Sequence, residues 1–191
     1  MARPREFDER AAIDSAMHAF WRGGYEGTST QQLCEATGLG RSSIYNTFSS
    51  KHALFVRALQ HYCDTMTQHQ IDFLESPGSP REKLRTLLLD TIEDEFTSDH
   101  RGCLAVNTLA ELGDKDPEVG AQLAKDAERY VAAIHAVVLA GQREDELDSD
   151  HDALVVARFL HSQIAALRLS ARSGTDRPTL ERIAELALST L

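Results

Sequence analysis

Apolar side chains recur along this chain with a helical period, and no stretch alternates apolar and polar positions as a half-buried strand would. The pattern predicts a first helix over about 7–22, with Ala11, Ala12, Ala16, Phe20 and Trp21 on its inner side. Gly23-Gly24 stops it, because glycine takes the left-handed conformations that end helices. A second helix starts near Thr28 or Ser29, whose hydroxyls can accept from first-turn amides, carries Leu33, Cys34 and Thr37, and ends at Gly38. After Leu39-Gly40 a third runs over 41–48. Ser49 or Ser50 then caps a long fourth helix over about 51–73, with Phe55, Leu59, Tyr62, Met66 and Phe73 in one seam.

Ser76-Pro77-Gly78-Ser79-Pro80 is the clearest loop. The fifth helix puts Leu84, Leu87, Leu88, Thr91, Ile92 and Phe96 on one side. A loop, Ser98-Asp99-His100-Arg101-Gly102, separates it from a sixth over 103–112. Asp116-Pro117 opens a seventh that reaches about Ala140, with Val119, Leu123, Ala127, Tyr130, Ile134 and Val137 inward. The acidic stretch 144–150 reads as a solvated connector before two last helices over about 152–173 and 178–191. The sum is nine helices and no sheet, an all-α chain.

The 191 residues suit one domain, or a small module attached to a larger one. An apolar fraction of 42% and a charged fraction of 26% are those of a globular, soluble chain. The longest apolar runs are like 153–157, far short of the ~20 residues that span a bilayer. The amino-terminal residues lack the unbroken apolar core of a secretory signal, so a cytoplasmic location without membrane contact is expected. Three cysteines, Cys34, Cys63 and Cys103, are not a disulfide framework.

The net charge of −10 argues against nucleic acid until its distribution is read. Residues 1–60 hold seven basic and six acidic side chains, a balance of +1. Residues 61–191 hold thirteen and twenty-four, a balance of −11. An acidic body repels a polyanion, so any DNA contact is confined to the first sixty residues.

Those residues contain two short helices joined by a three-residue turn, the spacing of a helix-turn-helix. Small Cys34 allows the helices to approach, and Gly38 can take the positive φ that the turn needs. Leu39 and Ile44 plug the angle between them. Arg41, Ser42, Ser43, Tyr45 and Asn46 then face outward, where they can donate to base edges and phosphates. Thr28 and Thr30, with the free amides beginning the second helix, form an anion site. Lys51 opens the fourth helix and can reach flanking backbone. On the residues alone, an unrelated helical hairpin remains an alternative.

The words around this unit are Gly-Tyr-x-Gly-Thr-Ser-Thr before it and Ile-Tyr-x-x-Phe-x-Ser-Lys-x-x-Leu at its end. With an all-helical remainder, they closely resemble the TetR/AcrR family of transcriptional regulators over roughly residues 7–59. The body shares the family's length, its helix count and the phrase Gly102-Cys103-Leu104-Ala105-Val106-Asn107. The resemblance implies an amino-terminal helix-turn-helix domain, 1–50, and an effector-binding and dimerisation domain, 51–191. It implies a homodimer on a near-palindromic operator, usually a repressor released by a small molecule. By position, Thr28 and Thr30 would hold phosphate and Arg41, Ser42 and Ser43 would face the groove. Tyr45 would bind backbone phosphate and Lys51 would anchor the other flank. Asn46 and Thr47 stand where the family often has an aromatic residue or histidine, and Cys34 replaces its usual alanine.

The eighth helix is apolar on more than one side, which suggests a second buried surface beyond the subunit core. Leu154, Phe159, Ile164 and Leu167, with Leu180, Ile183 and Ala187 of the ninth, are the candidate dimer face. A fully buried central helix in a monomer is the other reading of the same stripe. Candidate effector-pocket residues are Leu59, Tyr62, Cys63, Met66, Ile92, Phe96, Cys103, Asn107 and Tyr130, though at helical spacing they are first of all core. Cys103 at a helix start also permits thiol-based redox or electrophile sensing, and an acidic helical adaptor without DNA binding is the reading from another class. No metal site is expected, since His61 and Cys63 point about 200° apart on a helix, and His18, His135 and His161 read as core or dimer residues. No cofactor is expected, and no nucleophile elbow, phosphate loop, dinucleotide fingerprint or His-Glu-x-x-His points to an enzyme.

Overall fold

The computed structural model describes residues 8–97 and 102–191. The expected helix start at Phe7 and the loop residues 98–101 lie outside them. Nine helices and no strand occur among the described residues. The first, α1, covers Glu9–Gly27 and is capped by the Asp8 carboxylate, which accepts from the amides of Arg10 and Ala11. Gly24, at φ 71° and ψ 175°, breaks it, so the expected stop is a kink and a last turn continues beyond it. Next come α2, Thr30–Thr37, and α3, Arg41–Phe48. Ser29 and Gln32 form a capping box on α2, and Gly38 ends it at φ 70°.

The fourth helix, α4, runs Lys51–Tyr62, passes through a π-helical turn at Cys63–Thr67, and continues over Gln68–Glu75. Ser50 caps it by accepting from Ala53 N–H at 2.9 Å. The Thr65 hydroxyl donates back to the carbonyls of His61 and Tyr62 within the widened turn. The remaining helices are α5, Pro80–Thr97; α6, Leu104–Leu112; α7, Pro117–Arg143; α8, Ala153–Arg172; and α9, Arg177–Leu188.

Two apolar clusters hold these elements. One joins α5, α7, α8 and α9 through Leu84, Leu88, Ile134, Ala157, Leu160, Leu180 and Ala184. The other joins α1, α2, α3 and the first half of α4 through Phe20, Leu33, Ile44, Phe48 and Phe55, and draws in Leu104, Leu112, Val119 and Leu123 from α6 and α7. Head and body therefore share a core, and α6 lies across both. The acidic connector after α7 is not merely solvated. Its Leu147 is buried against Gly141, and the Glu146 carboxylate accepts from the Ser79 hydroxyl at 2.5 Å and the Arg81 amide at 3.2 Å. No helix among the described residues is long and apolar enough to cross a membrane.

Candidate nucleic-acid interface and effector cavity

On α3 the inward residues are Ile44 and Phe48, both buried. Every other side chain of that helix, Arg41, Ser42, Ser43, Tyr45, Asn46 and Thr47, is exposed. Gly40 begins α3 without a side-chain cap, so its first-turn amides stay available. The Tyr45 hydroxyl lies 3.5 Å from the Thr30 hydroxyl, and the Arg41 guanidinium sits 5.8 Å above the Tyr45 ring. Hydrogen bonding to Thr30, then to Arg41, draws the Tyr45 phenol below its ordinary pKa. The start of α2 and the outer face of α3 thus form one surface.

Thr28 is a correction. It is only 2% exposed, and its hydroxyl donates to the Gly24 carbonyl at 2.6 Å. The side chain closes the α1 kink and is turned away from the anion site. Within α2 the capping box occupies the amides of Ser29 and Gln32. The amides of Thr30 and Gln31 are left without intrahelical partners. The Lys51 ammonium lies 4.5 Å above the Tyr25 ring, beside the last turn of α1.

Several contacts that tie the head and the start of α4 to the rest of the body were not legible in the sequence. The Glu111 carboxylate accepts from the amides of Tyr25 at 2.9 Å and Glu26 at 2.8 Å. His52 meets Asp116, the cap of α7, at 2.6 Å. The Val119 amide, then His52, holds the Asp116 carboxyl below its ordinary value. The Trp21 indole donates to the Gly102 carbonyl at 2.9 Å.

In the body a cleft of about 510 Å³ is lined by Trp21, Tyr62, Met66, Asp90, Asp94, Cys103 and Arg168, among others. A second, more apolar pocket of about 100 Å³ shares Thr67, Cys103 and Arg168 with it and is lined by Val106, Leu109, Leu123, Tyr130, His161 and Ile164. Arg168 is tied to Glu95, which is 0% exposed, at 2.8 Å, and to Asp94 at 3.5 Å. Tyr62 donates to the Cys103 sulfur at 3.3 Å, and burial pushes its phenol well up, so it stays a donor. Thr67, in the π turn, donates to Asp126 at 2.9 Å.

Comparison with known proteins agrees with this geometry. The family model "Bacterial regulatory proteins, tetR family" matches residues 12–58, and "Tetracyclin repressor-like, C-terminal domain" matches 80–187. The chain belongs to the TetR family. It is a DNA-binding transcriptional regulator of that family. It is similar to the uncharacterized HTH-type transcriptional regulator YezE of Bacillus subtilis (strain 168), at 28% identity over the full length of both chains. It is also 30% identical to the HTH-type transcriptional repressor ComR of Escherichia coli (strain K12), over 99% of this chain and 90% of ComR. Among solved structures, a cysteine mutant of the TetR-family regulator CifR, complexed with 26-bp operator DNA, superposes with a TM-score of 0.84. The two are 32% identical over 98% of each chain.

In this TetR-family regulator the cavities gather four of the expected pocket residues, Tyr62, Met66, Cys103 and Tyr130. The others stand apart. Leu59 and Ile92 are buried in packing and border neither cavity. Cys63 borders a separate opening beside Asp126, and burial, then Asp126, pushes its thiol up. Phe96 lies under the Arg177 guanidinium, and Asn107 accepts from Arg172 at 2.5 Å. Trp21, Asp94 and Arg168 were missed because they come from three distant segments with no shared spacing. The expected dimer face also divides. Ile164, Leu167, Leu180 and Ala187 are buried in the subunit's own core, while Leu154, Phe159 and Ile183 stay exposed. Val155 at 64%, Leu169 at 65% and Leu186 at 68% join the exposed set. Among the described residues no group of three or more His, Cys, Asp or Glu side chains could hold a metal ion, and His61 pairs with Asp14.

Proposed function

We propose that this regulator is a homodimeric repressor. Residues 1–50 read a near-palindromic operator in the cytoplasm, and residues 51–191 pair the subunits and bind a small-molecule effector. The observation that carries it is the α3 outer face, polar and exposed over buried Ile44 and Phe48, abutting the uncapped amides of α2. Arg41, Ser42, Ser43 and Asn46 would meet base edges, while Thr30, Tyr45 and Lys51 would meet phosphate. The exposed stripe of Leu154, Val155, Phe159, Ile183 and Leu186 on α8 and α9 would pair two copies. Pairing would set the two α3 helices about 34–36 Å apart, one DNA turn. An effector filling the cavity would favour a body shape with a different separation, and release follows from that difference in affinity. The output is operator occupancy rather than turnover.

The test is binding to two-fold sites selected from a random duplex pool, read by anisotropy at several salt concentrations. Tyr45→Phe and Lys51→Ala should weaken binding to all sequences, and Lys51→Ala should also make the salt slope shallower by about one. Arg41→Ala should also change base preference. Parent-like binding by all three variants would refute the head assignment.

A second reading has its own support. Cys103 is half-buried at the junction of the two cavities, with Tyr62 donating to its sulfur. An electrophile entering the cleft would meet this thiol, and the added group would occupy the effector space. Alkylation of Cys103 that leaves operator affinity unchanged would remove the thiol-sensing reading and leave the repressor reading intact.

A further inference from the structure

The joint between α1 and α2 carries an unusual constraint from the body. Gly24 breaks α1, and the turn that follows begins with the amides of Tyr25 and Glu26, which have no helical carbonyl to meet. Both are taken by a single side chain, Glu111, more than eighty residues away on α6. Each carboxylate oxygen accepts one of them, at 2.9 and 2.8 Å, and hydrogen bonds to an ionised acceptor are the stronger kind. Gly24 is what permits the approach, since a Cβ at that position would lie 2.9 Å from Glu111 Oε2. Side chains assigned above to phosphate contact lie on either side of this joint. The Tyr25 ring underlies the Lys51 ammonium, and four residues beyond Glu26 stands Thr30, beside the Tyr45 hydroxyl.

We propose that Glu111 is a positioning residue for operator binding: by holding the Tyr25 and Glu26 amides it sets where Thr30, Tyr45 and Lys51 stand against the DNA backbone. The inference rests on the DNA-binding reading above. It adds a charged hold of the body on the head to the shared apolar core and the Trp21–Gly102 bond, and it does so from α6, whose cap residue Cys103 borders the effector cavity. The sign of the effect separates positioning from plain electrostatics. Glu111 is an anion beside a DNA-facing surface, so its removal would tighten DNA binding if charge alone mattered. Loss of the two hydrogen bonds predicts the opposite.

The experiment measures affinity and salt slope of the full-length parent, Glu111→Ala, Glu111→Gln and Gly24→Ala on an operator duplex selected by the parent. Circular dichroism confirms that each is folded at the assay temperature. Glu111→Ala is expected to bind about tenfold more weakly, with a salt slope shallower by about one as the Lys51 contact to phosphate is lost. Glu111→Gln keeps one acceptor oxygen and should lose about threefold. Gly24→Ala, which pushes the carboxylate away, should resemble Glu111→Ala. Affinity equal to or tighter than the parent in Glu111→Ala, or weaker binding with an unchanged salt slope, overturns the inference. Should that variant not fold, parent-like affinity and slope in Glu111→Gln overturn it. Failure of the parent itself to select a duplex would instead refute the DNA-binding reading.

Discussion

His161 shows how burial can outweigh nearby charge in setting a residue's chemistry. Its ring stands edge-on to Tyr130 with centroids 5.7 Å apart. Burial holds the imidazole below its ordinary value, against the opposing pull of Asp126. As pH falls from about 6.5, the unfolded chain takes the proton before the native one does. The stability from this residue is thus complete above about 6.5 and is lost as pH drops from there toward the folded value. Between about pH 7.5 and 5.5, His161→Phe should lose less thermal stability than the parent; equal losses would contradict the assignment. At this scale the outward residues of α3 were legible, because Ile44 and Phe48 define the buried side of so short a helix. Thr28 was not legible. Its hydroxyl answers a carbonyl freed by the Gly24 kink, and nothing in the local spacing says that the helix resumes after two glycines.

Among the elements, two glycines resist substitution for different reasons. Gly38 ends α2 at φ 70°, and a Cβ there would meet nothing within 4 Å. Gly38→Ala should therefore cost about 1–2 kcal/mol from backbone conformation alone. Gly141 lies inside α7, where a Cβ would meet Leu147 at 2.6 Å and Pro80 at 3.1 Å. Gly141→Ala should cost about 1–3 kcal/mol by overpacking, although alanine is the better helix former. Denaturant midpoints shifted at constant slope would check both. The caps at Asp116 and Ser50 and the stop at Gly38 are local chemistry, and the sequence shows them directly. The π turn of α4 is different. Its seam of Phe55, Leu59, Tyr62 and Met66 reads as an unbroken helix, yet the widened turn leaves Met66 exposed and directs Thr67 to buried Asp126.

Over the whole molecule, the apolar residues of α8 and α9 have two destinations. If Val155 and Leu186 lie between subunits, the double variant Val155→Asp, Leu186→Asp should sediment as a folded monomer and lose its hold on two-fold operators. Leu180→Asp, in the subunit core at 0% exposure, should instead unfold the chain. A folded, dimeric Val155→Asp, Leu186→Asp protein would exclude this face. Helical periodicity placed both groups on the same two helices but could not sort them, because a wide apolar stripe records how much surface is covered and not by what. By itself, then, the sequence determined the all-helical class, the caps at Ser29, Ser50 and Asp116 and the polar face of α3, all of which follow from residues a few positions apart. The tertiary structure alone decided that Glu111 holds the α1 kink, that Arg168 and Glu95 pair beside the cavity, and which leucines face the subunit's own core. Those depend on contacts across seventy residues or more of chain, or between helix faces, for which local spacing carries no signal.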